Sequence, residues 1–266
     1  MPSPPTSSDS AVALVIPAYN EAERIGRTLR HIDRYAAQSA HPIHIVIVDD
    51  HSTDSTAAAI TNDKPAHASL DVIINDQNRG KGYSVRRGML HALNNPELTA
   101  IAFSDADLST PITELDHLLD ELHRSTDVAI ASRNMPDSHL EPPQPPLRRA
   151  LGYIFRSARQ LLMLRDILDT QCGFKAFKPK PAKEIFSHCH INGFAFDCEL
   201  LAAARALKYT IKEVGVTWHN DTRSTLSPYR HIFSVARDLI KIRARFGPQH
   251  KPAAPRTART QTSRTF

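Results

Sequence analysis

Asp105 and Asp107 bracket one alanine in the stretch Ser104-Asp105-Ala106-Asp107-Leu108-Ser109. The apolar run Ile101-Ala102-Phe103 leads into them, which sets the pair just past a strand end. Two carboxylates so spaced can hold a divalent cation, and oxygen-only ligands suit a hard ion such as Mg²⁺ or Mn²⁺, which often also binds substrate phosphates. The same pattern serves equally as a solvated strand-to-loop turn, so its meaning depends on its neighbours. Two neighbours carry chemistry of their own. In Asp49-Asp50-His51-Ser52-Thr53-Asp54, Asp50 or Asp49 could accept a hydrogen bond from a nucleotide base, or the stretch could cap a helix. Asn78-Arg79-Gly80-Lys81-Gly82 sets two cations and two glycines before a helix. Glycines let a backbone approach a pyrophosphate, and Lys81 adds a point charge near the helix N-terminus; an ordinary loop is the alternative. Neither a GxGxxG fingerprint nor a Walker A sequence is present, so any nucleotide must be recognised by other means.

The elements that would position these residues alternate. Residues 11–16, 43–48, 70–74, 99–103 and 127–131 read as β-branched strands, and 21–37, 53–60, 81–93 and 112–122 as helices. This alternation predicts an α/β chain with a doubly wound, mostly parallel sheet covered on both faces. Ligands in such sheets bind beyond the carboxyl ends of the strands, where all three polar stretches fall, together with Pro17-Ala18-Tyr19-Asn20-Glu21. The second half is less regular. It predicts a helix over 147–165, a short strand at 174–177, helices at 181–187 and 197–207, a strand at 211–218 and a helix at 229–246. The Pro-rich run 141–146 marks a boundary, which divides one domain over 11–246 into a nucleotide part, about 11–135, and an acceptor part, about 136–246.

The net charge of +5 is unevenly placed. Seven Lys and Arg residues and no acid follow Asp238, which leaves −2 for residues 1–238. Residues 1–10 and 247–266 read as disordered ends, the second of them basic. A solvated tail is the plain reading, and nucleic acid is not an expected partner. No run reaches the ~18–20 apolar residues of a membrane span. The first ten residues lack the basic and apolar regions of a signal peptide, so a cytoplasmic protein is expected. Cys172, Cys189 and Cys198 form no CxxC pair and suggest neither a disulfide framework nor a zinc site.

Taken in order, Ile16-Pro-Ala-Tyr-Asn-Glu21, Val48-Asp-Asp-His-Ser-Thr-Asp54, Asn78-Arg-Gly-Lys-Gly82 and Asp105-Ala-Asp-Leu-Ser109 resemble the inverting nucleotide-sugar glycosyltransferases of family 2, which have the GT-A fold. The resemblance runs from about Val12 to Phe246. It implies that Pro17, Tyr19, Glu21 and Asp50 line the nucleotide. Asp105 would sit by the ribose or the metal, Ala106 would stand beside it on the cofactor side, and Asp107 would be the direct metal ligand. Asp169-Thr-Gln-Cys-Gly-Phe-Lys175 and Gly193-Phe-Ala-Phe-Asp-Cys-Glu-Leu200 resemble the dolichyl-phosphate glucosyltransferase branch, close to the polyprenyl-phosphate mannose synthases. Those enzymes move a sugar from UDP-glucose or GDP-mannose onto a lipid phosphate. Their eukaryotic glucosyltransferases carry an N-terminal membrane anchor, whereas this chain reaches its first strand at about residue 11.

In the predicted helix 147–165, Arg148, Arg149, Arg156 and Arg159 fall on one face, opposite Ala150, Ile154, Ala158 and Leu161. Such a helix either packs on the sheet or lies in a membrane interface near anionic lipid heads, which makes peripheral membrane contact an expectation.

The acceptor decides which further residues matter. A hydroxyl acceptor must lose a proton, and Asp197, then Asp169, are the base candidates. A phosphate acceptor is already anionic and needs cations, for which Arg133, Lys175 and Arg223 are the candidates; structural salt bridges are the alternative for the arginines. His219, after the last strand, is a third candidate metal ligand. The expected reaction is metal-dependent, inverting transfer of a hexose to a polyprenyl-type lipid phosphate. A soluble hydroxyl compound or a growing glycan is the alternative acceptor.

Overall fold

The computed structural model describes residues 11–141, 164, 166–219 and 228–247. The helix expected at 147–165, the segments 1–10 and 248–266, and Arg223 lie outside the described residues. In chain order the strands are β1 (Ala11–Ala18), β2 (Ile43–Asp49), β3 (Ser69–Ile74), β4 (Leu98–Phe103), β5 (Val128–Ser132), β6 (His139–Glu141), β7 (Lys175–Phe177), β8 (Ile211–Gly215) and β9 (Thr217–His219). The helices are α1 (Ile25–Ala36), α2 (Thr56–Asn62), α3 (Lys81–Ala92), α4 (Glu114–His123), α5 (Pro179–Ser187), α6 (Phe196–Ala206) and α7 (Pro228–Phe246).

Seven strands form one sheet in the order β3-β2-β1-β4-β7-β5-β8. All pair in parallel except β7, which runs antiparallel between β4 and β5. The expected mostly parallel sheet is therefore present. Successive side chains of a strand point to opposite faces, and β1 shows what each face meets. Ala13 and Val15 join a core with Val85 and Met89 of α3, Phe186 of α5 and Leu200 of α6. Val12, Leu14 and Ile16 join a second core with Ile25 and Leu29 of α1, Ile60 of α2 and Leu115 of α4. Helices thus cover both faces, as a strand apolar at every position requires.

The strand order reverses around β1, which lies between β2 and β4. This switch point opens a crevice at the carboxyl ends of the strands, and the first residues beyond β1, β2 and β4 border it. Two expectations shift in detail. The predicted strand 211–218 divides into β8 and β9, and β9 leaves the main sheet to pair with β6, an element the sequence did not signal. The predicted helix start at residue 21 moves to Ile25, because Glu21 belongs to the turn whose carbonyl accepts the Arg24 and Ile25 N–H groups.

The β4 terminus is held by an aromatic cluster. Phe103 lies 6.2 Å from Phe177, 6.5 Å from Phe186 and 5.8 Å from Phe196, between ring centroids. It is fully buried and stands two residues before Asp105. Phe103→Ala should therefore lower unfolding free energy by about 3–5 kcal/mol in equilibrium urea denaturation; a loss under 1 kcal/mol would show that the cluster does not brace this strand end.

Candidate active site

The turns after β1 and β2 are laced together. Asn20, at φ 55°, takes the Thr53 N–H on its side-chain oxygen (2.8 Å), while its own N–H donates to Ser52 Oγ (3.0 Å). The Glu21 N–H donates to Thr56 Oγ1 (2.8 Å). This lacing leaves Tyr19 46% exposed beside the crevice, with Pro17 partly buried behind it. The Glu21 carboxylate forks onto Arg24 at 2.6 and 3.1 Å. Burial still raises the Glu21 carboxyl above the ordinary glutamate range against Arg24, and the charges of Asp107 and Asp105 push the same way.

Asp49 and Asp50 are both engaged with backbone or side-chain donors of the chain. Both are buried. Asp49 Oδ1 accepts the Ser52 N–H (2.9 Å) and closes the turn. Asp50 is 4% exposed, and its carboxylate takes three donors from within the chain: Asn75 Nδ2 (2.6 Å), the Arg79 N–H (2.9 Å) and the Gly80 N–H (2.7 Å). Asp50 anchors the Asn78–Gly82 turn.

That turn is not the anion cradle expected from its glycines. Gly80 has φ +95°, and a Cβ there would stand 2.6 Å from the Asn192 carbonyl oxygen. At Gly82 a Cβ would meet Ile191 O at 2.5 Å and Phe196 Cβ at 2.6 Å. The Gly82 N–H donates to Asn192 O (2.7 Å). The glycines admit protein backbone, and three N–H groups of the turn already have protein acceptors. The Lys81 side chain of this turn reaches the acidic pair. It forms an ion pair with Asp105 and lies 5.8 Å from the Phe196 ring centroid. Burial disfavours its ammonium, but Asp105, Asp197 and Asp107 together hold its pKa above the ordinary lysine value.

Asp105 and Asp107 follow β4 as the spacing predicted. A Cβ at Gly173 would collide with the Asp105 carboxylate, so only glycine lets Asp105 lie there. The Ala106 carbonyl is fixed by Thr28 Oγ1 (2.5 Å), and Asp107 Oδ1 accepts the Ser109 N–H (2.9 Å). Ala106 is buried, so it shapes the turn through its backbone. Burial and the nearby Asp105 charge raise the Asp107 carboxyl above the ordinary aspartate range. Two carboxylates share this turn, and the Lys81 charge works against the shift. Hard-cation chemistry fits such a donor set. His219 reaches this turn through its backbone, its N–H donating to Ser109 O (2.7 Å). Among the described residues, however, no three His, Cys, Asp or Glu side chains converge as a metal shell. The expected Asp105, Asp107 and His219 trio is therefore not assembled. A cation held by the two carboxylates would complete its shell with water and ligand oxygens, as Mg²⁺ commonly does.

The acceptor-side candidates form two ion pairs. Lys175, expected as a phosphate holder, is 0% exposed, with Nζ 2.5 Å from Asp197 Oδ1 and 2.6 Å from Cys172 O. A buried ammonium needs a partner, and Asp197, the first base candidate, supplies it. Burial pushes the Asp197 carboxyl above the ordinary aspartate range, against Lys175 and Lys81. Arg133 forks onto Asp169 through Nε (2.7 Å) and Nη2 (3.0 Å), and the Arg133 N–H adds a third bond (3.1 Å). Burial would raise the Asp169 carboxyl, but the Arg133 charge and hydrogen bonds hold it well below the aspartate range. Asp169 is thus a weak proton acceptor, contrary to its candidacy as a base. Arg133 keeps a partly exposed edge and stacks over Trp218, 5.5 Å from guanidinium carbon to ring centroid. Sequence reasoning missed Trp218, although it is the single tryptophan of the chain, and it missed Gly173 and Asn192, whose roles depend on tertiary contact.

Comparison with known proteins gives a consistent picture. Residues 13–186 match the family described as Glycosyl transferase family 2. The chain is similar to the dolichyl-phosphate beta-glucosyltransferase of Dictyostelium discoideum, 33% identical over 88% of this chain and 74% of the relative. The protein of that name from Saccharomyces cerevisiae is 33% identical over 87% and 74%, and the one from Homo sapiens 30% over 92% and 79%. Among solved structures, glucosyl-3-phosphoglycerate synthase from Mycobacterium tuberculosis in complex with UDP superposes with a TM-score of 0.64, at 16% identity, over 91% of this chain and 82% of that one. At that identity the likeness speaks for the fold.

Arg133→Met should leave a buried carboxylate without its partner and lower stability by about 3–5 kcal/mol at pH 7. Asp169 has a depressed folded pKa, so its contribution is present above the ordinary value of about 4 and lost as pH falls toward the folded value. Urea midpoints of wild type and variant should therefore approach each other as pH drops below about 4; a gap that stays constant would refute the assignment.

Proposed function

The chain belongs to glycosyl transferase family 2 and is a nucleotide-sugar-dependent glycosyltransferase; on that premise we propose that it moves glucose from UDP-glucose onto a dolichyl- or polyprenyl-phosphate lipid, with inversion at the anomeric carbon. The observation that carries the reading is the Asp105–Asp107 pair at the switch point of the sheet, with Lys81 beside it. The dolichyl-phosphate beta-glucosyltransferases at 30–33% identity support the donor sugar and the acceptor class.

Residues 11–135 form the donor part in this reading. Tyr19, Pro17 and Glu21 border the nucleotide, and Asp50 acts by fixing the turn that carries Lys81. Asp107, with Asp105, would hold Mg²⁺ or Mn²⁺. When bound, the cation supplies positive charge to the diphosphate and to the leaving nucleotide. The donor set supports this, since it is all oxygen and short of positive charge. The mycobacterial synthase that shares the fold has been crystallised with Mn²⁺, UDP-glucose and phosphoglyceric acid. Lys81 adds a fixed cation on the same side.

The carboxylates on the acceptor side favour a phosphate over a hydroxyl. Asp169 is held ionised by Arg133, and Asp197 is buried against Lys175. Neither stands ready to take a proton from an incoming hydroxyl, and an anionic phosphate needs no base. Arg133, partly exposed above its pair with Asp169, would meet that phosphate. Arg223 and the segment 147–165 fall in the same acceptor part of the sequence. The reading makes the enzyme a peripheral protein on the cytoplasmic face of a membrane. No helix among the described residues is long and apolar enough to cross one. The outer face of α7 carries Arg237, Lys241 and Ile240, the last 67% exposed, which suits an anionic lipid surface.

The test is transfer of radiolabelled glucose from UDP-glucose with Mn²⁺, in parallel reactions with dolichyl phosphate and with hydroxyl acceptors, and a GDP-mannose arm. Lipid-phosphate product should dominate. Asp107→Ala should cut the rate by roughly 100-fold or more while leaving the melting temperature in place. Transfer to hydroxyl compounds alone would overturn the lipid acceptor, and full activity of the variant would overturn the metal role.

A further inference from the structure

Lys81 occupies a weak position in its helix. It is the first residue of α3, flanked by Gly80 and Gly82, and glycine is a poor helix former. The first N–H groups of a helix have no partner within it, so this turn should fray unless something outside holds it. The something is a strap, residues 189–192, between α5 and α6. Its Asn192 carbonyl accepts the Gly82 N–H at 2.7 Å and lies close against Gly80. Arg86 of α3 grips the strap from the other side, donating through Nη1 to Cys189 O (2.9 Å).

The strap is held in turn by one buried carboxylate. Glu199 of α6 is 2% exposed. Its Oε2 accepts both the His190 N–H (2.8 Å) and the Ile191 N–H (2.7 Å), and its Oε1 pairs with Arg245 of α7 at 3.3 Å. Two backbone donors on one ionised oxygen make a strong, directional hold, and they are the residues immediately before Asn192. We infer that Glu199 is a positioning residue for Lys81, acting through the strap, and so sets donor affinity without touching the donor. This rests on the reading that Lys81 faces a nucleotide diphosphate. A plain joint between α6 and α7 through Arg245 is the rival role for Glu199, and it would leave Lys81 unaffected.

The experiment combines two readouts. Hydrogen exchange of the Gly82 amide reports the strap without any ligand. Calorimetric titration with UDP and Mn²⁺, repeated with GDP, reports donor affinity. Glu199→Ala should speed exchange at Gly82 and weaken UDP binding by about tenfold, in line with the loss of hydrogen bonds to a charged group. Glu199→Asp, which keeps the charge but withdraws it by one methylene, should do the same if the alanine variant does not fold. Glu199→Gln, whose amide oxygen can still accept both N–H groups, should restore most of the affinity. In a Lys81→Met background the Glu199 substitutions should no longer weaken UDP binding, because their effect passes through Lys81. Unchanged Gly82 exchange in the alanine or aspartate variant would overturn the inference, as would an equal loss of affinity with and without Lys81. If wild type binds neither nucleotide, the donor reading fails, while Gly82 exchange still decides whether Glu199 holds the strap.

Discussion

The site depends on a shortage of positive charge at the carboxyl edge of the sheet. Glu21, Asp105 and Asp107 are gathered there, and burial and mutual repulsion lift the carboxyls of Glu21 and Asp107 above their ordinary ranges. Lys81 is the cation paired with Asp105, and Arg24 is turned onto Glu21. A protein does not keep like charges half-buried without a compensating ligand or partner. In the proposed reading that positive charge arrives from outside, and an oxygen-only pair suits a hard divalent ion.

The surrounding structure serves to hold that imbalance in one geometry. Phe103 braces β4 just before the acidic pair, and Gly173 clears room for the Asp105 carboxylate. Asp50 fixes the turn before α3 from the β2 side, and the 189–192 strap fixes it from the α6 side. Both halves of the chain thus converge on Lys81. The buried Lys175–Asp197 and Arg133–Asp169 pairs lie within electrostatic reach of Lys81 and Asp105. Their mutual satisfaction leaves no unpartnered carboxylate between them, which is why an acceptor that arrives already ionised suits this site.

The main sheet was legible because its central parallel strands β1, β2, β4 and β5 are largely apolar runs buried on both faces. Their helices follow from apolar periodicity. The three-residue strands β6 and β9 carry too little pattern to be read, and the antiparallel direction of β7 depends on partners far away in sequence. In the site, the position of Asp105 and Asp107 just past β4 was legible from the apolar run that precedes them. The roles of Gly80 and Gly82 were not, because a glycine announces close approach without naming what approaches; here it is the Ile191–Asn192 backbone. Lys175 looked like a free cation because its partner, Asp197, lies 22 residues on, at the start of α6. The partners of Asp50 were hidden for the same reason, since the donors to its carboxylate come from the Asn75–Gly80 segment.

The most direct measurement of the central claim is calorimetric titration of UDP into the protein with Mn²⁺ and, separately, with a chelator. A carboxylate pair awaiting positive charge predicts that Mn²⁺ strengthens UDP binding by at least about tenfold, roughly 1.4 kcal/mol. It also predicts that Asp107→Ala abolishes the difference. Equal affinity with Mn²⁺ and with the chelator would contradict the account.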